Sequence, residues 1–82
     1  MKNDLSIPVG IDAFDLVALV TKGERSDLTE KSSIVNTPGW DSLAQLDIMM
    51  YLEDHYGVEI TEESIEKFSS LSAVMDIMTK GV

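Results

Sequence analysis

Two side chains in this sequence invite a catalytic reading, and their spacing defeats it. Ser42 opens a predicted helix, and His55, the only histidine, follows thirteen positions later on that helix. At about 1.5 Å per residue the two lie roughly 20 Å apart. His55 therefore cannot take the Ser42 proton as a general base, and it reads as a surface residue near a helix end. Metal chemistry has no better foothold. There is no cysteine, no His-Glu-x-x-His run and no acidic loop with EF-hand spacing. Glu62, Glu63 and Glu66 fit a solvated helix face, and no carboxylate pair stands apart from the many exposed acids. That leaves Ser42 alone. It sits at the first position of a helix that Asp41 is placed to cap, just after Pro38 and Gly39. Exposed amides at such a position favour an incoming anion such as phosphate. Without a base, the serine would have to be modified by another enzyme. Serine and aspartate are equally ordinary residues at helix starts, so spacing alone leaves both readings open.

The elements that must hold these residues are helical. Ile11, Phe14, Val17 and Val20, with Ala18 beside them, predict a first helix over 9–22, stopped by Gly23. Asp12 and Asp15 suit its N-terminal end and Lys22 its C-terminal end. Residues 23–40 predict a long polar connection, with room for a 3₁₀ turn, pinned by Leu28, Ile34 and Val35. The second helix is predicted over 42–56, with Leu46, Met49, Met50, Leu52 and Tyr56 as its apolar stripe. Gln45, Asp47, Glu53 and Asp54 form its polar face, and Gly57 ends it. Thr61 caps a short third helix over 62–67. Ser70 caps a last one over 71–79, with Leu71, Val74, Met75 and Met78 inward. No segment alternates in the manner of a strand. The expectation is an all-α, small irregular four-helix bundle: three longer helices, one short, and a long loop between the first two.

Composition narrows the partners. The 82 residues are one domain's worth, with residues 1–8 expected to form a flexible tail. No run resembles a signal peptide or approaches the roughly 20 apolar residues of a membrane span, so a cytoplasmic, soluble protein is expected. Net charge is −9, and it is uneven. Residues 1–40 hold four bases and six acids, whereas residues 41–82 hold two bases and nine acids. Such a surface repels nucleic acid and anionic lipid, and it speeds encounter with basic protein surfaces.

A wider pattern surrounds the serine. It runs from Ser33-Ile34 through Gly39-Trp40-Asp41-Ser42-Leu43 and Leu46. It continues through Leu52-Glu53, Tyr56-Gly57-Val58-Glu59-Ile60 and Glu62-Glu63 to Phe68 and Leu71. Over residues 9–80 this resembles the acyl carrier and peptidyl carrier proteins. The resemblance implies that a phosphopantetheinyl transferase, using magnesium and coenzyme A, places 4′-phosphopantetheine on Ser42. The arm's thiol would then hold cargo as a thioester. It also implies no catalysis by the chain itself, a monomer, and docking of basic cargo-loading and cargo-processing enzymes around the serine. Asp41, Leu43, Asp47, Met50, Glu53, Asp54, Glu62 and Glu63 are the expected contact residues, with Glu59 and Glu66 extending the acidic patch. Met49, Met50, Met75 and Met78 are candidates for an adaptable cargo groove, though ordinary core packing explains them as well.

The run Asn36-Thr37-Pro38-Gly39, Ala44 two residues after the serine, and Trp40 before Asp41 depart from the fatty-acid carriers. Gly-Trp-Asp-Ser-Leu looks more like free-standing carriers of specialised pathways, such as polyketide, nonribosomal peptide or surface-polysaccharide assembly. An acyl cargo is favoured slightly over an aminoacyl or peptidyl one. The competing reading is an acidic helical interaction module in which Ser42 only begins a helix.

Overall fold

Asp12 decides where the first helix begins. Its backbone is extended, and its carboxylate accepts the Asp15 N–H at 2.9 Å, so the helix starts at the next residue rather than at residue 9. The computed structural model describes residues 10–80, and the tail expected over residues 1–8 lies outside them. Among the described residues the order is α1 (Ala13–Thr21), a 3₁₀ turn (Arg25–Asp27), α2 (Ser42–Tyr56), α3 (Glu62–Lys67) and α4 (Leu71–Lys80). This is the all-α bundle expected from the sequence, with three longer helices and one short. The bounds of α2 and α3 match those expected, and α4 runs one residue further.

At the other end of α1 the stop assigned to Gly23 belongs to Lys22. Lys22 takes the left-handed conformation at φ 60°. The Gly23 amide then reaches back to the Ala18 carbonyl at 3.0 Å and the Lys22 amide to Leu19 at 3.3 Å. These two bonds form a Schellman closure. The buried face of α1 is also turned from the expected stripe. Ala13, Leu16, Val17 and Thr21 are buried, while Phe14 and Val20 are only half-buried. Phe14 instead lies under the Arg25 guanidinium, 5.3 Å from ring centre to charge.

α1 packs against both α2 and α4, and α3 rests on α2. Leu16, Val17, Ile48, Met49, Leu52, Leu71 and Val74 are fully enclosed where α1, α2 and α4 meet. Of the four methionines proposed for a groove, Met49 is core and Met75 and Met78 are half-buried against it.

The long connection is held by backbone as much as by apolar side chains. Ser33 and Ser70 form an isolated antiparallel bridge. In it Ile34 N–H bonds to Ser69 O and Leu71 N–H to Ser32 O, each at 2.9 Å. Leu28 and Ile34 pack on the core as expected, but Val35 is 88% exposed and pins nothing. At its start the connection is tied to α1, where Arg25 reaches Asp12 and Asp15, each at 2.7 Å.

Candidate functional site

Three residues fix the turn that leads into α2. Gly39 has φ +85° and lies so close to α1 that a β-carbon would collide with the Thr21 carbonyl oxygen. Only glycine suits both the space and the conformation. Trp40 follows, 3% exposed, and buries its ring in the core. Asp41 then caps α2, its carboxylate accepting the Ala44 N–H at 3.0 Å.

Ser42 is the first residue of α2 and is exposed. The first intrahelical bond runs from Gln45 N–H to Asp41 O. The Ser42 and Leu43 amides therefore precede the helix ladder. Amides at such a helix start, together with the sign of the helix dipole there, favour an anion on a side chain at this position. His55 is exposed near the far end of α2, stacked on Tyr51 with ring centroids 4.3 Å apart. It is in no position to act on the serine.

The outward face of α2 gathers most of the expected contact residues. At 3.6 residues per turn, Ser42, Leu43, Leu46, Asp47, Met50, Glu53 and Asp54 fall within an arc of about 140°. Asp41, Leu43, Glu53 and Asp54 are exposed, whereas Asp47 and Met50 are half-buried. Leu43 is 74% exposed, an unusual position for a leucine. Glu62 and Glu63 occupy the first turn of α3, exposed and well placed for its dipole. The ion pairs among the described residues join Arg25 to Asp12 and Asp15 and Lys80 to Asp76. None of them joins an acid of α2 or α3 to a base, so the acids beside the serine face solvent without an ion-pair partner among the described residues.

A groove of about 310 Å³ opens beside Ser42, lined by Ile34, Ser42, Gln45, Leu46 and Ile65. Ile34, Leu46 and Ile65 make its walls mostly apolar, and none of the four candidate methionines lines it. Leu46, expected inside the core, is 46% exposed and forms part of this groove. The wider depressions beside Phe14 and Arg25, and beside Leu19 and Lys22, are more open to solvent.

Gln45 is the residue that sequence reasoning placed wrongly. Read as part of the polar face, it is 3% exposed. Its Oε1 accepts the Trp40 indole N–H at 2.7 Å, and its Nε2 donates to Ile65 O at 2.9 Å and Phe68 O at 3.0 Å. With every polar atom partnered, an amide is tolerated in the core. The signal was present in the helical spacing of Gln45 with Ile48, Met49 and Leu52.

An exposed hydroxyl at a capped helix start, where the first amides precede the helix ladder and a mostly apolar groove lies alongside, suits a phosphodiester-linked arm. A family profile described as "phosphopantetheine attachment site" matches residues 14–77.

Proposed function

The chain belongs to the phosphopantetheine attachment family, that of the acyl and peptidyl carrier proteins, and on that premise we propose that Ser42 bears the arm and that α2 presents it to partner enzymes. As a member it carries covalent 4′-phosphopantetheine. Domains of this family are in general carriers rather than catalysts. The observation that carries the Ser42 reading is its exposed hydroxyl at the first position of a capped helix.

Attachment is the transferase's work. The Ser42 oxygen would form the new phosphodiester bond at the phosphorus of coenzyme A that bears pantetheine, as the bond from that phosphorus to adenosine 3′,5′-bisphosphate breaks, the hydroxyl proton leaving Ser42 in the same step. This chain's residues supply position. Gly39 and Trp40 anchor the turn, Asp41 caps the helix, and the Ser42 and Leu43 amides favour the phosphate charge. Once attached, the arm supplies a terminal thiol that holds cargo as a thioester.

The exposed acids of α2 and α3, with Leu43 exposed among them, suit brief docking of basic enzyme surfaces. These partners are a phosphopantetheinyl transferase and the enzymes that load and process cargo. No helix among the described residues is long and apolar enough to cross a membrane. The chain reads as a single carrier domain acting as a cytoplasmic monomer. The mostly apolar groove favours an acyl cargo over an aminoacyl or peptidyl one. The Gly39-Trp40-Asp41-Ser42-Leu43 run favours a specialised biosynthetic pathway.

The test is intact mass after incubation with coenzyme A, magnesium and a broad-specificity transferase, starting from unmodified, folded protein. The wild type gains one phosphopantetheine and Ser42→Ala gains none, while the variant keeps its helical signal. A gain by the variant would move the site elsewhere. No gain by either would favour the acidic interaction module.

A further inference from the structure

We propose that Gln45 is a positioning residue: it locks α3 to the turn before Ser42 and so fixes the wall of the groove beside the arm. The proposal rests on the reading of Ser42 as the attachment residue for its functional meaning, but not for its geometry.

One side chain makes three ties. Gln45 accepts from Trp40, two residues before Ser42, and donates to the carbonyls of Ile65 and Phe68 at the end of α3. Those carbonyls belong to a helix end, where no intrahelical donor follows. With six residues, α3 is too short to persist without tertiary support. Ile65 also lines the groove opposite Ser42 and Leu46. The position of that wall is therefore set by the same amide that holds Trp40. Packing alone does not call for glutamine here. Methionine would fill a similar volume, but it would leave one buried N–H and two carbonyls without their partner. The choice of an amide points to orientation.

The experiment compares wild type, Gln45→Met and Ile48→Val by amide hydrogen exchange. Ile48→Val loosens the buried face of the same helix without touching the ties. In Gln45→Met, exchange at Ile65 and Phe68 is expected to speed up about tenfold or more. Leu16 of α1 and Val74 of α4 should change no more than they do in Ile48→Val. A uniform acceleration over all four helices, or none at Ile65 and Phe68, overturns the proposal.

Should Gln45→Met fail to fold, the wild type alone gives the answer. The Trp40 indole proton and the Ile65 and Phe68 amides should then exchange through one opening event with a common protection factor, and differing factors overturn the lock. Both measurements use the unmodified chain, so a failure of arm attachment at Ser42 leaves them standing. On the modified protein, magnetisation transfer from the arm to the Ile65 methyls should be present in wild type and lost in Gln45→Met. An arm attached at Ser42 but silent towards Ile65 in wild type would overturn the groove's part in the proposal.

Discussion

Gly39 rests against the Thr21 carbonyl with no room for a β-carbon between them. The last turn of α1 thereby sets the height at which the chain enters α2, three residues before Ser42. Thr21 is itself steadied, its hydroxyl donating to the Val17 carbonyl at 2.7 Å.

Gly39→Ala should consequently cost more than a loop substitution ordinarily does. The positive φ and the collision together are expected to lower stability by roughly 2–4 kcal/mol. The same displacement should slow attachment of the arm, because the turn can no longer seat. Thermal melting and the rate of mass gain check this. A variant as stable as wild type would mean that the turn moves freely off α1.

Leu43 offers the opposite experiment, large for partners and small for the fold. Its side chain is 74% exposed, so Leu43→Ala should shift stability by no more than about 0.5 kcal/mol. The transferase KM should rise by about tenfold if this leucine seats in an apolar pocket of the enzyme. An unchanged KM would remove Leu43 from the docking surface.

Acid should weaken the tie between the 3₁₀ turn and α1. The hydrogen bonds from Arg25, then the Asp15 amide, hold the Asp12 carboxyl down from 3.8 to about 2. The folded value lies below the unfolded one, so the contribution is full above about pH 4. It fades as pH falls and is lost below about pH 2. Both partners are half exposed to solvent, which keeps the effect small. In Arg25→Met the stability difference from wild type should shrink steadily over that window. A difference that stays constant down to pH 2 would show that the arginine acts only through its packing on Phe14.

Salt should have the reverse influence on the molecule as a whole. Residues 41–82 hold nine acids and two bases, and no ion pair among the described residues relieves α2 or α3. Screening over a Debye length of about 10 Å at 0.1 M should raise Tm as sodium chloride is added. A Tm that does not move would mean that the acids stand too far apart to repel.

Much of this was legible in the residues. Caps are local chemistry, so Asp41, Thr61 and Gly57 located α2 and the start of α3 to the residue. The α1 boundaries were harder, because Ile11 extends the apolar pattern past the point where the Asp12 carboxylate accepts the Asp15 amide. Lys22 in a left-handed conformation has no signature at all. The exposed places of Ser42 and Leu43 at the start of α2 were readable from the cap and the turn before it. Gln45 was harder: its spacing with Ile48, Met49 and Leu52 puts it on the buried face, but hydropathy assigns an amide to water, and only the Trp40, Ile65 and Phe68 partners make its burial tolerable. Val35 and Leu46 failed in the other direction, as apolar side chains that face solvent or a groove. The Ser33–Ser70 bridge joins segments far apart in the chain through backbone atoms, on which side-chain patterns are silent.

That bridge also bears on timing. It closes a long loop that contains both α2 and α3, and closing such a loop is an entropic cost met only when its two ends coexist. During synthesis the Ser33 side of the bridge is made well before its Ser70 partner. The connection that leads into α2 is therefore fastened only when the start of α4 is in place, so its backbone ties form late and share their fate with the C-terminal helix.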